Sequence, residues 1–583
     1  AAHLATLNLA SRDIKEDENY PFIARRNFFE VPEARERFCV VPGLHRPDGT
    51  RDANDVMLPE LDAVIGNPPY VRQEAIARRD KMRKNQSESK EAFAVRLKTT
   101  KEFMADLCRR LWPGLRLSGR SDLHCYFWPV AASLLRPDGY FGFLTSSSWL
   151  DVEYGFPLQG WILSNFKIMA VMESLDEPWF QDARVKTAVT ILQRCGDRKA
   201  RDENVVKFVR LQKPVSEILG DRPHGDEAAR QRATEKLRRL ILETNRQFED
   251  HLLRIIPVPQ KQLWDEGVKA GRLVKADQLS EAEEGDENGE NGKVVRETAA
   301  MYEISSSYAA GKWGRFLRAP DIYFRLLKDY GSRFVRLGEI AEVRFGIKSG
   351  CDAFFMPHDV TEKIKKQLQE GLPLNDVPLL APCKRSEIES GKVRIVRAGD
   401  NTLHPIEADY LKPEVHSLMQ VGRPVVKTQD TDRVVLWVNK PLGEIAGTYA
   451  AKYIRWGAKQ TFESKKSESV PVPERSTCAS RPVWYDLTSE TSGVSFWPMT
   501  QKYRHIVPAN PDDLVCNHRL FYVTPKDLNK TESSVLSAIL NSTFIALVKH
   551  FYGRYAGSEG TLDTEIVDCL LLDVPDPRRI RPE

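Results

Sequence analysis

The chain has 583 residues, of which 41% are hydrophobic and 29% are charged, and its formal net charge is only +4. This length suffices for two to four domains with sizeable cores. No stretch approaches the roughly 18 to 20 apolar residues that a membrane span requires, so we expect no membrane-spanning segment. So small a net charge does not identify a polyanionic partner by itself, and the local distribution of charge matters more.

The nine cysteines are scattered at irregular spacing, without a Cys-x-x-Cys pair. An odd count in this arrangement argues against a zinc site and against a disulfide framework. We therefore expect a cytoplasmic protein without a metal site. The first residues lack both an initiator Met and a charged-then-apolar leader, and Ala1 to Ala10 are typical of a helix. We expect the numbering to begin inside a longer natural chain.

Strand-like and helix-like segments alternate over residues 1–195, which we predict to be the first domain. Phe28 and Phe29 are predicted to close a short strand, and Ser121 is predicted to cap a helix. Strands separated by helices predict a mostly parallel sheet with ligands at the carboxyl ends of its strands, where Asn67 and Thr145 fall. The principal predicted strands are a buried one at 61–66 and others at 140–145, 168–172 and 187–192.

The rest of the chain is predicted to form two further parts. Residues 196–312 are charged and helical, and they read as an insertion or linker. Seven acidic residues and no Lys or Arg occur between Asp277 and Glu290, which predicts a solvated, disordered loop over 277–292. Residues 313–583 mix short alternating strands with loops, and we predict a separate α+β domain there.

The most informative stretch is Asn67-Pro68-Pro69-Tyr70, which follows the apolar run that ends at Gly66. Asn-Pro is an ordinary turn initiator, so one interpretation is a tight connection only. The other interpretation is a site for a planar ring that carries an amino group. The Asn67 side-chain oxygen and the Pro68 carbonyl would accept hydrogen bonds from the amino group, and the Tyr70 ring would stack on the base.

Residues 62–70 resemble the catalytic motif of amino-group DNA methyltransferases, specifically the adenine-N6 class found in restriction-modification and phage-defence systems. The type IIG enzymes and the type I modification subunits belong to that class. Residues 122–127 and 139–148 resemble the intervening motifs of the same family, in the same order. The resemblance implies part of a Rossmann-like methyltransferase sheet, with a flipped adenine held at Asn67, Pro68, Pro69 and Tyr70.

A second aromatic side chain faces the other side of the flipped base in that family. Residues 178–190 resemble the motif that carries it, and Phe180 is the matching aromatic. The alternative is that Trp179 and Phe180 are ordinary core residues before an edge strand.

The resemblance also implies S-adenosylmethionine as the methyl donor. Arg26 to Phe29 resemble the segment that edges the cofactor's adenine, so Asn27 and Phe28 are candidate cofactor-binding residues together with Asn67. A loop residue and a core residue are the alternative roles for Asn27 and Phe28. The family's glycine-rich cofactor loop, an acidic start followed by Gly-x-Gly, occurs nowhere in the 583 residues. We expect that part to lie upstream of Ala1.

Double-stranded DNA is the expected partner, with other subunits of a restriction or defence system as further candidates. Residues 71–120 carry fourteen Lys or Arg against six Asp or Glu, and Arg72 opens this basic segment. Such residues suit phosphate contacts, although a charged run is often only a solvated helix face. Residues 313–583 resemble target-recognition domains, in which Lys348, Arg481 and Arg554 are candidate DNA contacts or simply surface charges.

The resemblance implies a site-specific DNA adenine-N6 methyltransferase. Two alternatives from other classes stay open. One is a fusion with a restriction endonuclease whose nuclease part lies upstream, since we find no convincing nuclease motif in this sequence. The other is a non-catalytic DNA-recognition subunit of a defence complex, which the missing glycine-rich loop keeps open.

Overall fold

A computed structural model describes most of the chain. The described residues are 22–45, 51–78, 82, 89–175, 177–179, 186–220, 226–274, 308–371, 383–462, 470–489, 491–502, 504–555 and 561–580. The predicted helix at Ala1 to Ala10, the predicted acidic loop at 277–292 and Phe180 lie outside these ranges.

The described residues group into two compact units. The first contains the residues up to Gly271 together with 308–318, and the second contains residues 272–274 together with the residues from Ala319 onwards. The strands of the first unit are β1 (Cys39–His45), β2 (Arg51–Val56), β3 (Leu61–Gly66), β4 (Leu135–Ser146), β5 (Phe166–Ser174), β6 (Thr187–Arg194), β7 (Val205–Leu211), β8 (Phe248–Glu249) and β9 (Leu253–Pro259). Its helices are α1 (Lys90–Leu97), α2 (Lys101–Leu111), α3 (Leu123–Ala132), α4 (Phe156–Asn165), α5 (Arg198–Asp202), α6 (Val215–Ile218), α7 (Glu227–Glu243), α8 (Gln260–Gly271) and α9 (Gly314–Arg318).

The first unit is a mixed α/β fold around a seven-stranded sheet with the order β3-β4-β6-β5-β7-β9-β8. The predicted mostly parallel sheet is wrong. Only the pairs β3/β4 and β5/β7 are parallel among the described strands of this sheet, and the other four neighbouring pairs are antiparallel. The physical reason is that β6 inserts between β4 and β5 and runs against both.

The predicted boundary at residue 195 is also wrong, because the sheet continues beyond it. Strand β7 pairs with β5, and β9 pairs with β7, so residues predicted to form a separate insertion belong to the same sheet. Helix α7 packs on this part of the sheet, where Ile241 joins Val209 and Ile255 in one apolar cluster. Residues 308–318 also belong to this unit rather than to the second.

Strand β3 forms as predicted, but it is not buried. It lies at the edge of the sheet, and within the described residues it pairs with β4 alone. Ile65 is 85% exposed and Tyr140, on the neighbouring strand, is 48% exposed. On the opposite face, Phe141 and Phe143 of β4 pack against Trp128 of α3, so the sheet is covered there.

Two local predictions differ from the structure. Phe28 and Phe29 begin a 3-10 helix, Phe28–Glu33, instead of closing a strand, because the Asn27 side chain caps that turn. Helix α3 begins at Leu123 with Asp122 in the N-cap position, so Ser121 is not the cap. Ser121 is instead fully buried one residue earlier.

The second unit contains several small sheets. Its strands are β10 (Phe334–Arg336), β11 (Ala341–Phe345), β12 (His358–Asp359), β13 (Val393–Arg397), β14 (Leu403–Glu407), β15 (Leu411–Val415), β16 (Arg433–Leu436), β17 (Ser495–Pro498), β18 (Thr500–Lys502), β19 (Val515–Cys516), β20 (Leu520–Pro525), β21 (Arg554–Tyr555), β22 (Thr561–Asp563) and β23 (Asp573–Pro575). Its helices are α10 (Asp321–Tyr330), α11 (Leu337–Ile340), α12 (Asp352–Phe355), α13 (Thr361–Gln369), α14 (Arg385–Glu389), α15 (Tyr449–Gly457), α16 (Ser476–Ala479), α17 (Lys530–Leu540), α18 (Thr543–Tyr552) and α19 (Ile566–Leu570).

A six-stranded sheet, β14-β13-β12-β16-β15-β19, organises the main core of the second unit. Phe354, Val435 and Tyr453 are among the fully or almost fully buried residues of this core. The strands β11, β20 and β17 form a second sheet. The segment after β11 lies very close to residue 517. A Cβ atom on Gly346 would lie 2.2 Å from the Asn517 carbonyl oxygen, which is too close for any side chain. Only glycine therefore fits at position 346.

No single helix in the described ranges is long and apolar enough to cross a membrane, while the bent pair α17 and α18 meets the same criteria of length and composition when taken together. All nine cysteines are buried free thiols. No three His, Cys, Asp or Glu side chains of the described residues converge in a way that could hold a metal ion.

Candidate active site

The Asn67–Tyr70 turn follows the carboxyl end of β3, beside the carboxyl end of the parallel strand β4. Asn67 is exposed, Pro68 is buried and Tyr70 is half-buried. Position 66 needs a small residue, because a Cβ atom there would lie 2.9 Å from the Phe143 ring. The structure thus places Asn67 directly after β3 and next to the end of β4.

The Tyr70 hydroxyl group joins the turn to β4. It lies 2.8 Å from the Asn67 side-chain oxygen and 3.1 Å from the Leu144 carbonyl oxygen, and its single proton is shared between these two acceptors. Burial raises the pKa of Tyr70 to about 12, so the hydroxyl group stays a donor at neutral pH. The Asn67 side-chain oxygen is thereby held in place.

A set of hydrogen bonds, which we call the Asp122 bridge, links the chain just after the Asn67–Tyr70 turn to the turn that follows β4, the 3-10 helix Ser147–Leu150. The Gln73 backbone N–H donates to one carboxylate oxygen of Asp122 over 3.0 Å, and the Tyr154 hydroxyl donates to the other over 2.8 Å. Ser148 hydrogen-bonds to the Tyr154 hydroxyl, and Ser146 to Ser148 over 2.9 Å. Burial raises the pKa of Asp122, whereas the hydrogen bonds from Tyr154 and Gln73 lower it.

The Asp122 bridge was not predicted, although residues 122–127 were assigned to a family motif. Its members are far apart in the sequence, with Gln73 49 residues from Asp122 and Tyr154 32 residues from it. An Asp immediately before a helix is by itself an ordinary N-cap signal, so nothing local distinguishes Asp122.

The candidate cofactor residues lie against the start of α3. The Phe28 ring stacks on Phe127, with ring centroids 5.1 Å apart. The Asn27 side-chain oxygen accepts a hydrogen bond from the Phe29 backbone N–H over 3.2 Å. The Asn27 side-chain amino group is buried and has no hydrogen-bond partner among the described residues. What Asn27 leaves for a ligand is therefore a donor, which suits a ring nitrogen better than the cofactor's amino group.

Part of the charge in the basic segment is paired with acidic residues. Lys98 pairs with Glu30 at 2.9 Å, and Arg110 pairs with Glu33 at 3.0 Å. Arg72 is exposed, and it immediately precedes the 3-10 turn Gln73–Ala75. Of the candidate phosphate contacts in this segment, Arg72 is the one nearest in the sequence to the Asn67–Tyr70 turn.

The structure brings Lys348 and Arg481 together in the second unit. The Arg481 guanidinium donates to the carbonyl oxygens of Lys348 and, over 3.0 Å, of Ser349. The Lys348 ammonium group lies 5.0 Å from the centroid of the Phe345 ring. Arg554 pairs with Glu565 at 2.9 Å. The Arg481 side chain thus holds the loop that carries Lys348.

A buried ion cluster lies near the carboxyl end of β5 and was also missed. Arg318 contacts the carboxylates of Asp151 at 2.5 Å and Glu173 at 2.6 Å. The Lys312 ammonium group donates to the Asp151 carbonyl oxygen, and the Gly314 N–H donates to its carboxylate over 3.1 Å. This cluster ties the segment that ends at Arg318 to the sheet of the first unit.

Part of this site matches a known family. Residues 115–180 match the model of the family described as Eco57I restriction-modification methylase. This segment includes α3, β4 and most residues of the Asp122 bridge. The match confirms the resemblance to restriction-modification methylases that was predicted from the sequence.

Two relatives are type II methyltransferases. M.XhoI of Xanthomonas vasicola is 27% identical over 135 residues, which are 23% of this chain and 20% of that protein. M.PaeR7I of Pseudomonas aeruginosa is 25% identical over 143 residues, 24% of this chain and 20% of that protein. The matched segments thus span only a fifth of each relative.

Two solved structures are similar over more of the chain. The type IIG restriction endonuclease BpuSI matches 90% of this chain and 48% of its own, with 14% identity and a TM-score of 0.31. The type IIL restriction-modification enzyme MmeI, solved in complex with DNA, matches 97% of this chain and 51% of its own, with 11% identity and a TM-score of 0.39.

Proposed function

The chain is related to the restriction-modification methylases, and from this premise we propose that it is a site-specific DNA adenine-N6 methyltransferase. It would move a methyl group from S-adenosylmethionine to an adenine flipped out of the DNA duplex. The observation that carries the proposal is the exposed Asn67 at the end of β3, whose side-chain oxygen is fixed by the Tyr70 hydroxyl.

The proposed chemistry rests on geometry. The amino group of adenine is a poor nucleophile, because its lone pair is delocalised into the ring. Acceptors on Asn67 and Pro68 would draw the amino protons and aim the lone pair at the incoming methyl group. No general base is needed beforehand, since the nitrogen becomes acidic once it is methylated and can release a proton to water.

The other site residues have supporting roles in this proposal. Tyr70 and Phe180 would stack on the two faces of the flipped base. The buried Asn27 amino group, which has no hydrogen-bond partner within the described ranges, and the Phe28 ring would hold the purine ring of the cofactor. When bound, the cofactor supplies an electrophilic methyl group. Such an enzyme would act in the cytoplasm, where its DNA lies.

DNA contacts would come from both units. Arg72 would bind a phosphate near the catalytic turn and position the duplex without reading its sequence. Residues 313–583 would contain the target-recognition domain, in which Lys348 and Arg481 are candidate DNA contacts and Arg481 also holds the loop that carries Lys348. Other restriction or defence subunits are candidate partners.

The test is Asn67→Ala in the full-length protein. Loss of the fixed acceptor should lower methyl transfer to DNA by about 100-fold or more, while cofactor and DNA binding change little. Nucleoside mass spectrometry after incubation with labelled cofactor measures transfer and distinguishes N6-methyladenine from methylated cytosine.

The matched control is Asn165→Ala. The Asn165 amide donates to the Trp161 carbonyl oxygen within α4, away from the turn, and this variant should keep wild-type transfer. Undiminished transfer by the Asn67 variant would refute the mechanism. Specific DNA binding by a wild-type protein that transfers no methyl group would favour a recognition subunit instead.

A further inference from the structure

Two turns meet at the catalytic edge of the first unit. One follows β3 and contains Asn67, and the other, the 3-10 helix Ser147–Leu150, follows β4. Because β3 and β4 are parallel and paired, with Gly66 opposite Phe143, the two turns emerge side by side. Their separation decides where the Asn67 side-chain oxygen points relative to the end of β4.

The Asp122 bridge connects these turns in one direction. A carboxylate only accepts hydrogen bonds, so the Tyr154 hydroxyl must donate to Asp122. The Tyr154 oxygen then accepts from Ser148, and the Ser148 oxygen accepts from Ser146. The hydroxyl protons of Ser146, Ser148 and Tyr154 are therefore all directed towards Asp122. Asp122 in turn accepts from the Gln73 backbone N–H, so the bridge is continuous between the two turns.

Two further features support the bridge. The Leu123 backbone N–H donates to the Val71 carbonyl oxygen over 2.9 Å, so the start of α3 holds the first turn at a second point. At position 155 a Cβ atom would lie 2.1 Å from the Trp149 carbonyl oxygen, so only glycine fits. This close approach folds the chain back and brings Tyr154 over Ser148.

We propose that Asp122 and Tyr154 are positioning residues, which fix the Asn67 turn against the end of β4 and thereby aim the Asn67 side-chain oxygen. Neither needs to touch the substrate. The catalytic consequence rests on the proposed function, whereas the mechanical role does not depend on it. Misplacement of a reacting group by about 1 Å can cost up to about 100-fold in rate, so loss of the bridge should be visible in the chemical step.

The test compares Tyr154→Phe with Tyr308→Phe. Both substitutions remove a hydroxyl group that donates over 2.8 Å to a side-chain oxygen, of Asp122 in one case and of Gln159 in the other. Tyr308 is buried in the same unit but is not part of the bridge. The control therefore reports the general cost of losing such a hydrogen bond.

Two readouts are needed on the full-length protein. Amide hydrogen exchange over residues 67–76 should rise in Tyr154→Phe and stay at the wild-type level in Tyr308→Phe. The single-turnover rate of methyl transfer should fall by about 10-fold in Tyr154→Phe, with the DNA dissociation constant unchanged. Asp122→Asn, which keeps one acceptor oxygen, should act in the same direction, and Ser148→Ala should have a smaller effect.

Each result decides one point. Unchanged exchange in both Tyr154→Phe and Asp122→Asn would overturn the mechanical role. Raised exchange with a wild-type rate, or equal rate losses in Tyr154→Phe and the Tyr308 control, would overturn the positioning role in catalysis. If the wild-type protein transfers no methyl group, the proposed function fails, and the exchange data alone decide whether the bridge holds the turn.

Discussion

His124 shows how one buried side chain makes the first unit sensitive to acid. It is fully buried in α3, and its Nε2 atom has no hydrogen-bond partner among the described residues. Burial lowers the pKa of His124 to about 4 from its ordinary value of 6.5. Between pH 6.5 and about 4, His124 therefore binds a proton in the unfolded chain but not in the folded one. The stability that neutral His124 contributes is present above pH 6.5 and is lost as the pH falls towards 4.

His124→Leu should remove this dependence. At pH 8 only the change in packing separates the variant from the wild type, whereas at pH 5 the variant should gain about 2 kcal/mol relative to that baseline. Urea unfolding of both proteins at pH 8 and pH 5 measures the difference. An equal difference in free energy of unfolding at the two pH values would show that His124 does not titrate as described.

The local sequence pattern predicts where a residue lies better than it predicts which residues it contacts. The apolar run before Asn67 and the two prolines after it were enough to place Asn67 at the end of a strand. The contact between Gln73 and Asp122 depends on how α3 packs against the chain 49 residues earlier, and no spacing rule encodes that. The place of the turn at a strand end was accordingly predictable, whereas the hydrogen bonds of Tyr70 within it and the Asp122 bridge beside it were not.

Among the helices and strands, α9 is held in place by buried ion pairs. Arg318 at its end lies between two nearly buried carboxylates, with Asp151 only 5% and Glu173 only 9% exposed. Removing one partner of a buried ion pair leaves an uncompensated charge, which costs more than the pair contributes in the intact protein. The pKa of Asp151 reflects the same balance, because burial raises it while the positive charges of Arg318 and Lys312 lower it.

Arg318→Met should lower the free energy of unfolding by about 3 to 5 kcal/mol. The matched control is Arg198→Met, because Arg198 and Asp202 form an exposed pair at 3.7 Å whose loss should cost less than about 1 kcal/mol. Urea unfolding compares the two variants. Similar small losses in both would mean that Arg318 does not hold α9 in place.

Strand directions were the weakest part of the fold prediction at this scale. Alternating strands and helices indicate parallel pairing only when each strand joins the sheet next to its predecessor through a helix. Strand β6 instead inserts between β4 and its own predecessor β5, and it runs antiparallel to both neighbours. The existence of these strands followed from their apolar runs, but their order required the tertiary structure.

For the whole molecule, the position of the junction between the two units matters. The sequence suggested that a new domain starts near Trp313, since the preceding segment is polar. In the structure the first unit keeps residues 308–318, and the chain passes into the second unit at Ala319. Arg315 and Arg318 pair with Glu266, Asp151 and Glu173, all in the first unit.

Domain exchange tests this division together with the proposed recognition role. A chimera that takes residues 319–583 from a relative should methylate the relative's DNA site, because these residues contain most of the proposed target-recognition domain. It should also remain stable, because the first unit keeps its own ion cluster. A chimera joined at residue 313 should show the same change of site but lower stability wherever the relative lacks these arginines. Methylome sequencing and thermal unfolding are the measurements. An unchanged site in both chimeras would place recognition outside the exchanged region.

The glycine at position 346 has a consequence for how such a unit can evolve. It touches the backbone of Asn517, 171 positions further along the sequence. A gene-conversion event that replaced only a short tract around the 346–350 loop would succeed only if the incoming tract also had glycine at that point. Variation in this loop should therefore arise by point substitution around a fixed glycine, or by recombination of tracts long enough to carry both contact partners.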